Sequence, residues 1–236
     1  MLDMEQLVKE YQPTLEVRRL VETNPPVLFV GVSGAGKNTI INQLLTTGGY
    51  HDLITCTTRP PRDNDGVMER DGIDYYFLSD ERARQMIEQQ EFIEVKLVHG
   101  TTIYGSSVAE YQKAVMASKT PIADVDVQGV MEYKNMAVNS VALFVLPPSY
   151  EVWLERLKKR FDNEVEFLAV WPKRRESAIK ELEIALESQQ FEWVVNDDLS
   201  DAVNEVKRLI ASPGSDFATK SQKQLARDLL AKLKVE

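Results

Sequence analysis

Cysteine and histidine are almost missing from these 236 residues: Cys56 is the single thiol, and His51 and His99 are the only imidazoles. One cysteine permits no internal disulfide and excludes a cysteine-built metal cluster, and two histidines make a histidine-rich zinc site a poor expectation. Positive charge is in deficit as well, with 28 Lys and Arg against 37 Asp and Glu and a formal net charge of -9. That balance argues against general nucleic-acid binding, which needs clustered cations, but leaves room for a small anion in a local basic pocket. No apolar run reaches the length of about eighteen residues that a membrane span needs. The first residues lack the basic, apolar, small-residue order of a secretory signal. A reducing, cytoplasmic setting is the expectation, with no membrane partner. Internal repeats and low-complexity tracts are also absent. A chain of this length is expected to build one core with a small appended lobe.

What the chain does contain is a rhythm of short apolar runs and amphipathic segments. An N-terminal helical arm is predicted over 2–21, with Pro13 as a kink or a second start and Asn24-Pro25-Pro26 as its end. A buried strand over 27–30 precedes a helix over 37–45. From 52 to 77, prolines and two Asp-Gly pairs break the chain into short strands and turns. Ser79 caps a helix over 80–89, 92–98 reads as a strand, and 107–117 as a helix. The pattern then gives a strand over 121–127, a short helix over 129–136, and a strand over 138–146. Ser149 caps a helix to about 160. Residues 161–170 read as a loop or partly helical, and Pro172 suits the first turn of a helix that continues to 190. A strand over 191–195, a helix over 199–210, a linker at Ser212-Pro213-Gly214-Ser215 and an amphipathic helix over 218–235 complete the chain. Strands separated by helices imply an α/β fold with a mainly parallel sheet covered by helices. The domain reading is a helical extension over 1–26, core over 27–51, a small mixed lobe over 52–106, core again over 107–211, and a C-terminal helical extension over 212–236.

The most specific stretch is Gly31-Val32-Ser33-Gly34-Ala35-Gly36-Lys37-Asn38-Thr39. Strand, glycine-rich turn, lysine and helix are the layout of a phosphate cradle. Glycines let consecutive backbone N–H groups point inward at phosphate oxygens, and the helix adds its positive end. Lys37 supplies a mobile cation for the outer phosphates. Asn38 stands where a hydroxyl usually follows the lysine, and the hydroxyl comes one position later at Thr39.

A second cluster runs through Thr55-Cys56-Thr57-Thr58-Arg59-Pro60-Pro61-Arg62, then Glu69, then Gly72-Ile73-Asp74-Tyr75. Two arginines beside hydroxyls suit a small, doubly charged phosphate through bidentate bonds, and a tyrosine adds a neutral donor. A polar surface hairpin with charged tips is the bland alternative for these residues alone. With a triphosphate cradle in the same chain, two anion sites suggest a donor and an acceptor.

At this point the sequence resembles the guanylate kinase family over roughly 27–211. The loop at 31–39 is similar to the lysine-x-threonine form found in nucleoside monophosphate kinases. The resemblance implies a P-loop fold with an inserted GMP-binding lobe and a lid over about 156–175. It implies ATP binding by Ser33, Gly34, Ala35, Gly36, Lys37, Asn38 and Thr39, with Asn196 near the adenine. It implies a GMP phosphate held by Arg59, Arg62, Tyr75 and Tyr104, with Thr55 and Glu69 also in the GMP site, and with Asp65 a rival for the role of Glu69 because the stretch before Glu69 is about four residues long beyond the family pattern. Phe92-Ile93-Glu94 and Tyr104-Gly105-Ser106 are similar to the segments that read guanine, so Glu94 meets N1 and the 2-amino group and Ser106 meets O6. Asp126 is placed near the guanine or its arginine neighbours. Mg2+ is implied, with Thr39 and Asp124 on it directly or through water.

Arg156 and Arg160 lie on one helix face at i, i+4, with Arg174 and Arg175 beyond. By themselves they read as a solvated charged face. The resemblance makes Arg156, Arg160 and Arg174 lid arginines, catalytic together with Lys37. Phe161 stands where the family has glycine. The activity implied is ATP-dependent phosphorylation of GMP, and of dGMP, to the diphosphate with release of ADP. The alternatives are a catalytically inactive family-like interaction module and a kinase for another nucleoside monophosphate. The partners implied are small nucleotides and no nucleic acid. The two extensions serve as packing elements or as a homodimer surface.

Overall fold

The computed structural model describes residues 3–64, 67–98, 100–214 and 219–235. Its elements in chain order are α1 (Met4–Glu10), α2 (Leu15–Thr23), β1 (Val27–Val30), α3 (Lys37–Leu45), β2 (Tyr50–Asp52), β3 (Cys56–Thr57), β4 (Asp63–Asn64), β5 (Val67–Met68) and β6 (Tyr76–Phe77). Then come α4 (Asp80–Glu88), β7 (Phe92–Val98), β8 (Thr102–Ser107), α5 (Val108–Met116), β9 (Thr120–Asp124), α6 (Val127–Met136) and β10 (Val141–Leu146). The last are α7 (Tyr150–Lys158), α8 (Glu164–Glu187), β11 (Phe191–Val195), α9 (Leu199–Ala211) and α10 (Thr219–Val235). Residue 218, the expected start of the final helix, lies outside the described residues, as does His99. No helix of the described residues is long and apolar enough to cross a membrane.

The chain forms two compact units, one of Met1–Pro25, Gly49–Ala123 and Glu132–Asn139, the other of Pro26–Gly48, Asp124–Met131 and Ser140–Glu236. In the second unit, β1 pairs in parallel with β10 and β10 with β11, with Val27 opposite Val141 and Ala142 opposite Phe191. Every residue of β1 and β10 is buried. Such continuous apolar runs are what strands covered on both faces require. Phe144 anchors this core against Trp193 and Phe191, with ring centroids 4.8 and 5.8 Å away. Helix α10 packs on α8 and β11, and its buried Ala226, Leu229 and Leu233 form the apolar stripe.

The stretch after α7 departs from the expectation. Helix α8 starts at Glu164, eight residues before Pro172, because Asn163 caps it by accepting from the N–H of Glu166 at 3.0 Å. Pro172 therefore sits inside the helix and not in its first turn. Packing overrides the proline: Phe167 and Trp171, one turn apart, stack at 5.4 Å. The stack continues to Phe161 on one side at 5.8 Å and to Trp153 of α7 on the other at 5.8 Å. Phe161 is thus one end of an aromatic chain.

The first unit contains a sheet in the order β6-β3-β8-β7, a parallel pair β2 and β9, and a hairpin of β4 and β5. Pro13 marks a second start: Thr14 caps α2 by accepting from the N–H of Val17 at 3.1 Å. Helix α1 lays Met4, Leu7, Val8 and Tyr11 against buried Cys56, Met86, Ile87 and Phe92. Strand β8 was hidden in the sequence by Gly105, whose lack of a side chain is required because a Cβ there would come within 2.7 Å of the Glu94 carbonyl.

Candidate active site

In the second unit β1 runs into a turn whose Gly31, Gly34 and Gly36 have φ of +134°, +91° and +94°. These are left-handed conformations that glycine adopts without penalty. Close approach adds to the demand. A Cβ on Gly31 would meet the Val145 carbonyl at 2.3 Å, and one on Gly36 would meet Asn196 Nδ2 at 2.1 Å. Side chains brace the turn from outside: Trp153 Nε1 donates to the Ser33 carbonyl and Asn196 Nδ2 to the Ala35 carbonyl, both at 2.8 Å. Arg156 donates to the carbonyl of Asn196 at 2.8 Å.

Helix α3 leaves this turn with Gly36 at its N-cap and no side-chain cap among the described residues. Its first amides and positive end therefore face a cavity of about 420 Å3 lined by Lys37, Asn38, Thr39, Asp124, Asp126 and Arg160, among others. Lys37 Nζ rests on the Gly31 carbonyl at 2.6 Å and lies 3.7 Å from Asp124. Arg174 donates to Ser33 Oγ at 2.8 Å, and its guanidinium stands over the Phe161 ring at 5.6 Å. Burial, then the charge of Arg160, lowers the affinity of Arg174 for its proton. Asp126 caps α6 by accepting from the N–H of Gly129 at 2.6 Å.

Glu181 of α8 also lines the cavity, and the sequence reading missed it. Burial raises its carboxyl, with Asp126 and Asp124 pushing the same way and Lys37 and Ser177 opposing. Partial desolvation likewise raises Asp124, whose side chain is 42% exposed, against the pull of Lys37. The signal for Glu181 was its i, i+7 spacing from Arg174, which puts both on one helix face. Glu176, Glu183 and Glu187 on the same helix obscured it.

In the first unit Arg59 is 8% exposed and pairs bidentately with Glu69 at 2.7 and 3.1 Å. Its Nε donates to the Tyr104 hydroxyl at 3.0 Å, and its guanidinium lies 5.0 Å from the Tyr75 ring centroid. The bonds to Glu69 raise its proton affinity against burial. Asp63 pairs with Met68 in a hairpin, so Glu69 returns to Arg62: each backbone N–H of the two meets the other residue, at 2.9 Å. Asp65, the rival carboxylate, lies outside the described residues. Arg62 itself is exposed. Glu94 Oε1 accepts from both the N–H and the hydroxyl of Ser106, at 3.0 and 2.8 Å. Thr55 is half-buried and ties β6 by accepting from the N–H of Tyr76 at 2.9 Å.

A strand, a left-handed glycine turn, a lysine and an uncapped helix define a P-loop α/β fold of the nucleotide-binding kind. A family model described as guanylate kinase matches residues 23–213. The guanylate kinase of Clostridium perfringens strain 13 is 36% identical over 199 residues, covering 82% of this chain and 87% of that protein. That of Porphyromonas gingivalis is 36% identical over 78% of this chain and 95% of its own length. That of Thermotoga maritima is 35% identical over 85% and 93%. A crystal structure of guanylate kinase from Anaplasma phagocytophilum shares the fold, with a TM-score of 0.58 and 20% identity over 90% of this chain and 97% of that one. The chain belongs to the guanylate kinase family, and with it to the P-loop kinases. Helices α1 and α10 lie outside the matched span.

Proposed function

We propose that this protein transfers the terminal phosphoryl group of ATP to GMP, and to dGMP, releasing ADP and GDP or dGDP. The observation that carries the reading is the uncapped N-terminus of α3, with Lys37 beside it, opening into the 420 Å3 cavity. Ser33 through Thr39 hold the donor phosphates, and Asn196 lies toward the adenine. In the acceptor lobe (52–106) the phosphate of GMP is held by Arg59, Arg62, Tyr75, Tyr104 and Thr55, with Glu69 orienting Arg59. Glu94 accepts from N1–H and the 2-amino group of guanine, and Ser106 meets O6. Adenine carries no N1–H and has the opposite polarity at position 6, so AMP leaves buried polar groups unpaired. Asp126 serves the base or its arginine neighbours.

The acceptor phosphate is already an anionic nucleophile, so no general base is needed. One of its oxygens forms a bond to the γ-phosphorus as the bond to the β,γ-bridging oxygen breaks, and ADP takes the electron pair. The work of the residues is alignment and charge stabilisation, by the cradle amides, Lys37, Arg156, Arg160 and Arg174. The hard oxygen donors Thr39 and Asp124 fit Mg2+, which takes one or two carboxylates beside phosphate and water. When bound it neutralises charge on the donor phosphates.

A coupled ADP-release assay with GMP, dGMP, AMP, CMP and UMP, with and without Mg2+, tests this reading. Turnover with GMP and dGMP that depends on Mg2+ is expected. Folded protein without GMP-dependent turnover overturns it in favour of an interaction module. A faster rate on another monophosphate overturns only the specificity. Glu94→Gln should weaken use of GMP far more than it affects folding.

A further inference from the structure

The family match leaves α1 and most of α2 aside, yet this arm is tied to the strand that carries Glu94. Tyr11, at the end of α1, reaches β7 with its hydroxyl, which donates to the carbonyl of Phe92 and accepts from the N–H of the same residue at 3.1 Å. Strand β7 is the outer strand of its sheet, where backbone groups facing outward have no neighbouring strand. One hydroxyl that serves both groups stands in for the absent partner. The Tyr11 ring meets Phe92 edge-on at 6.5 Å, and Gln90 donates its side-chain amide to the carbonyl of Gln12 at 3.1 Å. Burial pushes the Tyr11 hydroxyl up to about 12, so it keeps the proton it donates.

Phe92 is also where the ladder slips. Phe92 faces Ser107, whereas Glu94, two residues on, faces Ser106, only one residue back. The extra residue makes a bulge, a device that re-aims the side chains after it and leaves backbone groups to be satisfied. Glu94 is the side chain re-aimed, and the Tyr11 hydroxyl ties down Phe92, the residue just before the extra one. The arm packs on Phe92, but beside Glu94 lies a cavity of about 330 Å3, lined by Tyr11, Gln12, Arg18, Glu94 and Glu132 among others.

We propose that Tyr11 is a positioning residue for the acceptor base: by pinning the bulge at Phe92 it fixes Glu94 against Ser106, so the arm outside the family span sets the affinity for GMP and the choice of base. This rests on the reading of Glu94 as the carboxylate that meets guanine. Tyr11→Phe keeps the ring and removes the hydroxyl. It should raise the KM for GMP roughly three- to tenfold, the worth of a buried hydrogen bond, leave the KM for ATP unchanged, and narrow the preference for GMP over IMP, which lacks the 2-amino group. The Phe92 amide should exchange hydrogen faster in the variant without any substrate present. Val8→Ala is the control, since it trims the packing of the same helix and leaves the hydroxyl: it should lower the melting temperature and not the GMP preference. The proposal is overturned if Tyr11→Phe leaves the KM for GMP within about twofold and the GMP-to-IMP ratio unchanged, or if Val8→Ala, or the KM for ATP in Tyr11→Phe, moves equally. Failure of the underlying reading shows instead in the wild-type protein, as no turnover with GMP, and takes this proposal with it.

Discussion

The cradle at 31–39 and the lobe around Arg59 both carry cationic side chains, but they are held in shape by different means. The cradle is a matter of backbone. Its three left-handed glycines sit where the Val145 carbonyl, the Leu157 side chain and the Asn196 amide leave no room for a Cβ. The lobe is a matter of paired side chains: Arg59 with Glu69, Glu94 with Ser106, and buried Glu110 with His51, Tyr76 and Lys113 at 2.7 to 2.8 Å. A backbone cradle tolerates almost no change of residue or spacing. A lobe built on ion pairs depends instead on the partner carboxylate reaching its arginine, as Glu69 does after the β4–β5 hairpin.

The contrast breaks most visibly at Lys37. Lys37→Met should lower kcat by roughly a thousandfold, the scale of losing a charge that stabilises the transferring group, while the melting temperature stays nearly constant. A thousandfold loss accompanied by unfolding would mean that the cradle lysine is structural. The lobe should behave in the opposite way. Glu69→Gln strips the charge partner from a buried guanidinium and should cost about 2 kcal/mol of stability, read as a lower urea midpoint. An unchanged midpoint would show that Arg59 is held without its carboxylate.

The smallest effect concerns pH. Burial opposes ionisation of Glu110, but bonds from Lys113, His51 and Tyr76 outweigh it and hold the carboxyl below its ordinary 4.5. A depressed folded value gives stability that is complete above the unfolded value and lost as pH falls through the folded one. The lobe should therefore weaken as pH drops below 4.5, and Glu110→Gln should flatten that slope. Denaturation midpoints at about pH 6 and about pH 3.5 measure it, and an equal slope in the variant would assign the acid sensitivity to other carboxylates.

The same contrast decides what the sequence could reveal. Helix α3 and strands β1, β7 and β11 were read with the bounds they have, because local apolar pattern and glycine turns determine them. Strand β8 was not, since Gly105 masks a strand whose need for glycine comes from the Glu94 carbonyl on the paired strand β7. The start of α8 was misread because proline carries a local signal, whereas the stack of Phe167, Trp171 and Trp153 that overrides it is tertiary. Glu181 escaped for a similar reason: its role depends on the groups it faces, and these come from three separate segments.

Pro172 has one more consequence. Lacking an N–H, it leaves the carbonyl of Leu168 without its helical donor. The helix nevertheless runs unbroken from Glu164 to Glu187. The aromatic stack of Phe167 and Trp171 holds the turn before Pro172, and the bond from Arg174 to Ser33 Oγ holds the turn after it. The proline costs the helix a single hydrogen bond, and tertiary contacts on either side keep its two halves in line.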